Sequence, residues 1–154
     1  MKKSKISIFT LLLAAALLLP SLGYSADFPP SVGQLVANAK KAIKTVNMAE
    51  FKAMYDKNDV GLLVDVRDPN EYAAGHIPGA VNVSRGTLEF KLWKLVGGPE
   101  KPDYSKKMML YCGSGGRCTL ATKSLVDLGF TDVTAIDMKL KEWKKAGYPY
   151  GAKK

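Results

Sequence analysis

Apolar residues fall into short blocks along the chain, and the spacing within each block predicts strands alternating with helices. Leu62-Leu63-Val64-Asp65-Val66 and Met108-Met109-Leu110-Tyr111 are nearly continuous apolar runs of strand length, as in strands buried on both faces. Ile43–Val46, Ala80–Val83 and Thr131–Ile136 predict three shorter strands. Asn47, with Glu50 three residues on, forms a capping box that opens a helix to about Lys57. Leu88, Leu92 and Leu95 predict a helix over Thr87–Val96, stopped by Gly97-Gly98-Pro99 and followed by loop to Lys107. A helix from about Cys118 to Leu128 ends at Gly129, a residue suited to the position just past a helix, and Lys139–Ala146 closes at Gly147. Residues 27–40 read as an extension leading into this unit. Strands alternating with helices imply an α/β domain whose parallel or mostly parallel sheet is covered on both faces.

The first 26 residues do not fit that pattern. Lys2, Lys3 and Lys5 precede the apolar run Ile6–Leu19, interrupted only by Ser7 and Thr10 and stopped by Pro20. Such a run spans about 21 Å as a helix, short of the roughly 30 Å of a bilayer's hydrocarbon core. A charged start, a short apolar core and a breaker followed by small residues predict a secretory signal peptide over 1–26 and an exported, periplasmic protein. Cleavage after Ala26 leaves Tyr24 where a small residue is expected, whereas cleavage after Ser25 or Gly23 does not. The chain carries no cysteine in this region for lipid anchoring, so no stable membrane anchor is expected after cleavage.

Composition narrows the chemistry. With 154 residues, 47% of them hydrophobic and 24% charged, the chain suits one soluble domain. Two cysteines exclude a disulfide scaffold, and a single histidine excludes the usual zinc sites. The net charge of +9 includes the three leader lysines, and much of the rest gathers at Lys139, Lys141, Lys144, Lys145, Lys153 and Lys154. That is a solvated helix face and a short basic tail (151–154) whose field favours small anions, without the dense basic and aromatic stripe of a nucleic-acid surface.

The candidate chemistry lies in Cys112-Gly113-Ser114-Gly115-Gly116-Arg117-Cys118, directly after a buried strand. Ligands of α/β sheets bind at the carboxyl ends of strands. Glycines at 113, 115 and 116 allow positive φ, letting successive N–H groups form an anion nest, and the next helix adds its N-terminal dipole. A cysteine held there has a depressed pKa and acts as a nucleophile. Arg117 closes the loop with a permanent positive charge.

Cys112, Gly115 and Arg117 in Cys-x-x-Gly-x-Arg spacing resemble the active-site loop of rhodanese-type sulfurtransferases. The stretch Asp65-Val66-Arg67-Asp68-Pro69-Asn70-Glu71-Tyr72-Ala73-Ala74-Gly75-His76-Ile77-Pro78-Gly79-Ala80-Val81-Asn82-Val83 resembles that family's other signature, and Gly129-Phe130 and Trp143…Gly147-Tyr148-Pro149 fit as well. The resemblance covers residues 41–150. It implies a three-layer domain with a central five-stranded parallel sheet, acting as a monomer. It also implies transfer of a sulfane sulfur from a small anionic donor such as thiosulfate to a thiophilic acceptor, cyanide or thiol. The sulfur travels as a persulfide on Cys112, with no metal or organic cofactor, and Gly113, Ser114, Gly115, Gly116 and Arg117 bind the substrate. Cysteine phosphatases place one residue more between cysteine and arginine, making room for phosphate. Two rival readings keep Cys112: a non-enzymatic persulfide carrier, and a redox switch pairing Cys112 with Cys118.

Other residues take supporting roles. Asp65 and Arg67 flank the end of a neighbouring strand, and Arg67 is expected to pair with Glu71 or Asp68. Arg85 follows the third strand and is a candidate for binding the donor from across the pocket. His76 is expected to cap a turn, and Tyr111 and Trp143 to line the core. Two positions depart from the family pattern: Met138-Lys139 stands where many members have Gly-Gly, and Cys118 where serine is common. Cys118 is expected to point back to the sheet and remain a free thiol.

Overall fold

The alternation of apolar runs translates into a parallel sheet of β1 (Lys44–Asn47), β2 (Leu62–Asp65), β3 (Val81–Asn82), β4 (Met108–Tyr111) and β5 (Val133–Asp137), in the order β1-β5-β4-β2-β3. All four neighbouring pairs are parallel. The computed structural model describes residues 30–152. The expected leader over 1–26 and Lys153-Lys154 of the basic tail lie outside the described residues. The described residues divide between two units, Pro30–Gly33 and Gln34–Ala152. Of the first, the described residues Pro30–Gly33 are the opening of helix α1 (Pro30–Lys40); the second carries the sheet and the remaining helices α2 (Met48–Asp56), α3 (Pro69–Ala73), α4 (Leu88–Lys91), α5 (Gly116–Asp127) and α6 (Leu140–Lys145). No helix among the described residues is long and apolar enough to cross a membrane.

Strand side chains alternate between faces, so each apolar run feeds two cores. Val64, Val66, Met108 and Leu110 pack with Leu88 and Leu92 on one face and with Ala121 and Leu125 of α5. Leu63, Met109 and Tyr111 pack on the other with Phe51 of α2 and Trp143 of α6. β4 is central and its four residues are all buried. Tyr111 and Trp143 are wholly buried, as expected, with the Tyr111 hydroxyl accepting the Ile77 N–H (3.1 Å) and Trp143 Nε1 donating to the Pro149 carbonyl (2.8 Å).

Three segments differ from the sequence reading, each for a local reason. Residues 30–40 form a helix rather than a plain extension: Pro30 suits a helix start, and Val32, Val36 and Ala39 follow at helical spacing. α3 forms behind Pro69 at its first position, with the Glu71 carboxylate accepting the Asp68 N–H (3.3 Å). The helix expected over Thr87–Val96 is instead three short pieces, 3₁₀ turns at Arg85–Thr87 and Leu92–Leu95 flanking α4. Leu88 and Leu92 keep the anticipated buried face, but Val96 takes the place expected for Leu95, which is only half-buried; the last turn tightens to a bond from the Val96 N–H to the Trp93 carbonyl (3.2 Å) and ends at Gly97-Gly98, both at positive φ.

The carboxyl end of β2 is braced by a buried ion pair. Asp65 is 0% exposed; it accepts the Arg67 N–H (2.9 Å) and pairs with the Arg67 guanidinium (Nη2–Oδ2, 2.5 Å). Arg67 Nη2 also donates to the Gly75 carbonyl (2.8 Å), which accepts the Tyr150 hydroxyl as well (2.6 Å). The partner expected for Arg67 was Glu71 or Asp68; the structure gives Asp65, because Arg67 turns back along β2 toward a carboxylate that has no water. Asp65→Ala should therefore strand the buried guanidinium and cost about 3–5 kcal/mol in urea unfolding. Adding Arg67→Met should recover part of the loss, and a single variant as stable as the parent would refute the brace.

Candidate active site

β4 decides where the nucleophile points. Continuing its alternation, Cys112 follows Met108 and Leu110 onto the face covered by α5, while Tyr111 goes to the other face. The chain then reverses through Gly113-Ser114-Gly115 into α5. Of the three loop glycines only Gly115 has positive φ (+88°), so the positive φ that the sequence allows at all three narrows to one residue. A side chain there would also meet Asp137: a Cβ on Gly115 lies 3.0 Å from Asp137 Oδ1. The Gly113 carbonyl accepts the Leu140 N–H (2.9 Å), and Met138 is buried beneath, so the Met138-Lys139 turn props the loop while Lys139 itself faces solvent.

The turn wraps donors around one sulfur. Cys112 is 1% exposed, and its Sγ accepts the Cys118 N–H (3.4 Å) and lies 3.5 Å from Cys118 Sγ. The Cys118 thiol lowers the Cys112 pKa most; burial opposes it, and the N–H groups of Cys118, Ser114 and Gly115 add to the lowering, bringing it down to about 6. Cys112 is therefore a thiolate at neutral pH without a base. Cys118 moves the other way: its contact with Cys112 and its burial push its thiol well above the ordinary range. Both cysteines are free thiols, and the Cys118 sulfur also approaches the Ile136 carbonyl (3.6 Å), back toward the sheet as expected.

Arg117 does close the loop, but not as a free charge. Its guanidinium makes a two-pronged pair with Glu71 (2.6 and 2.9 Å) and lies 3.7 Å from Asp68. The Arg117 hydrogen bonds hold the Glu71 carboxyl below the usual carboxylate range. This pair straps α3 to the start of α5. Ser114 is exposed at the rim, while Gly115 and Gly116 are buried in the turn.

The remaining expected residues stand apart from the sulfur. Arg85 binds Glu89 (3.1 Å) and Ser124 (3.3 Å). Ser124 lies about 12 Å along α5 from Gly116, so in this structure the Arg85 guanidinium is engaged away from the loop. Asp65 and Arg67 support the neighbouring strand end. His76 behaves as a turn residue: Nδ1 is 3.0 Å from the Tyr72 carbonyl and its ring stacks on Tyr72 (3.8 Å), while its backbone pairs with Gly151. A surface hollow of about 620 Å³ lined by Lys41, Lys44, Phe130 and Val133 sits at the amino ends of β1 and β5, the wrong end of the sheet for this chemistry. Sequence reasoning named Glu71 but gave it to Arg67 rather than Arg117; it missed two contributors, Asp137 and the Leu140 N–H, the latter carrying no side-chain signal at all.

Comparison with known proteins agrees with this architecture. The rhodanese-like domain family matches residues 47–146. The chain is 32% identical over 106 residues to the thiosulfate sulfurtransferase GlpE of Pseudoalteromonas translucida, covering 68% of this chain and 92% of that one. It is 32% identical over 115 residues to the thiosulfate:glutathione sulfurtransferase of Saccharomyces cerevisiae, covering 68% and 81%. Among solved structures, a Rhodopseudomonas palustris protein of unknown function, described as a possible tyrosine phosphatase, superposes with a TM-score of 0.65 at 30% identity, covering 78% of this chain and 93% of that one. The fold is an α/β domain with a five-stranded parallel sheet and a cysteine loop directly after its central strand. The chain belongs to the rhodanese-like family, and sulfurtransferases are among its relatives.

Because Gly115 both sets the turn and abuts Asp137, Gly115→Ala should lower stability by about 1–2 kcal/mol from its backbone conformation alone. It should also raise the pH at which Cys112 forms thiolate, read by ultraviolet absorbance. Parent-like melting together with parent-like titration would show that the turn does not need glycine.

Proposed function

We propose that this protein is a sulfurtransferase that carries a sulfane sulfur on Cys112 from a donor such as thiosulfate to a thiol or cyanide acceptor. The observation that carries the reading is the convergence of the Ser114, Gly115 and Cys118 N–H groups on a cysteine already acidified by its surroundings. The Cys112 thiolate attacks the outer sulfur of thiosulfate; the sulfur–sulfur bond of the donor breaks, and its electron pair leaves with sulfite. The added sulfur bears the negative charge of the resulting persulfide, and preorganised N–H groups stabilise that charge without reorganising. An acceptor anion then attacks the outer sulfur, and the electron pair of the broken bond returns to Cys112 Sγ. No proton has to move in either half of the cycle, which suits a site where His76 is occupied elsewhere.

The description of one structural relative as a possible tyrosine phosphatase raises the rival chemistry. Two observations favour sulfur over phosphate. Only four residues separate Cys112 from Arg117, and Arg117 is committed to Glu71 rather than free to clamp a phosphoryl group. The positively charged start and short apolar core over Lys2–Leu19 support export to the periplasm as part of the same proposal, with the donor and acceptor met there.

Incubation with thiosulfate followed by intact-mass analysis should show one added sulfur on the parent and none on Cys112→Ser, which should keep the parent's circular dichroism. The parent should then form thiocyanate from cyanide while the variant is inactive. Sulfur uptake without turnover would leave a persulfide carrier instead, and an active serine variant would refute Cys112 as the nucleophile.

A further inference from the structure

We propose that Cys118 is a positioning residue for sulfur transfer, donating its one thiol proton to Cys112 Sγ and so steadying the sulfur that attacks and later leaves. The inference rests on reading Cys112 as the sulfur-carrying nucleophile. It follows from accounting for a single proton. The Cys118 thiol has three acceptors within reach: the Gly115 carbonyl (3.1 Å), Cys112 Sγ (3.5 Å) and the Ile136 carbonyl (3.6 Å). A carbonyl oxygen offers two lone pairs. Those of Gly115 are taken by the Thr119 N–H (3.1 Å) and the Thr119 hydroxyl (2.8 Å). The Ile136 carbonyl keeps one lone pair beside the Met138 N–H (3.1 Å) but is the most distant of the three. Of the two acceptors left, the Cys112 sulfur is the one that carries negative charge, and a charged acceptor makes the stronger hydrogen bond.

Residue 118 thus grips Cys112 twice, with its N–H (3.4 Å) and its S–H, from the first turn of α5. Cys118 is 0% exposed and packed among Cys112, Ala121 and Leu125, so its thiol cannot swing out to meet a substrate. The contact with Cys112, together with this burial, keeps it protonated, hence a donor rather than a second nucleophile. At 3.5 Å the two sulfurs are far beyond the roughly 2.05 Å of a disulfide. The contact acts at a definite moment of the cycle. When the acceptor attacks the persulfide, the electron pair returns to Cys112 Sγ, and the Cys118 S–H stabilises the charge arriving there. The acceptor half of the reaction should therefore depend on it most.

The test uses the full chain with Cys118→Ala, Cys118→Val and Cys118→Ser. Titration of thiolate absorbance should place Cys112 about one pH unit higher in the alanine and valine variants, and close to the parent in serine, whose hydroxyl restores a donor. Rapid-mixing transfer from preloaded persulfide to cyanide should slow in alanine and valine and recover in serine. Parent-like titration in both apolar variants, or a serine variant displaced as far as alanine, would overturn the role, since packing alone moves all three together. So would a quantitative loss of two hydrogens in the mass of parent isolated without reductant, the mark of a Cys112–Cys118 disulfide. If the parent takes up no sulfur from thiosulfate, the sulfur-transfer reading fails and the role with it; a failed titration with sulfur uptake intact sinks only the role of Cys118.

Discussion

The left-handed turn at Gly115 is the constraint on which the candidate site depends. β4 runs directly toward the loop, and α5 must start within a few residues and lie back over the sheet. Only a residue at positive φ makes that reversal while leaving the next N–H groups aimed at the sulfur just passed. The same residue ends the loop usefully, since its carbonyl takes both Thr119 donors and fastens the first turn of α5. A side chain would be strained by the backbone and pressed against Asp137 together. Geometry and acidity are one consequence here: the turn that shapes the loop is also what surrounds Cys112 with donors.

Two arginines near the loop do different work because their surroundings differ. Arg67 and Asp65 are enclosed, so the pair holds together chiefly because losing one partner would leave a charge without water. Arg117 and Glu71 are 39% and 35% exposed, where screening reduces such a pair to at most about 1 kcal/mol. The first brace keeps the end of β2 and the Gly75 turn in register with Tyr150. The second orders α3 against the loop and sets a carboxylate against the Arg117 charge. Burial, more than residue type, separates a brace from an adjustable strap.

Much of the frame was legible along the chain. β4 falls where the uninterrupted apolar run Met108–Tyr111 predicts it, the Asn47–Glu50 capping box opens α2, and Gly129 and Gly147 stand at positive φ just past their helices. These features depend on neighbours in sequence. The piecewise helix over 85–95 was not legible, because Leu88, Leu92 and Leu95 give a helical spacing whether the turns between them are α or 3₁₀, and Val96 rather than Leu95 turns out to be buried. α3 was overlooked although Pro69 and Glu71 announce it, since five residues are too few to show a period.

The sequence by itself determined the order of the elements, the cysteine after a buried strand, and the glycines that let the loop turn. Those follow from local sterics and from a period of two or 3.6 residues, which any reader of the chain can count. Only the tertiary structure decided the partners: Arg67 with Asp65, Arg117 with Glu71, Arg85 with Glu89 and Ser124, and the Cys118 thiol with Cys112. A long charged side chain reaches several carboxylates at similar distance along the chain. Which one it meets is set by how strands and helices stack, and by which carboxylate burial has left without water.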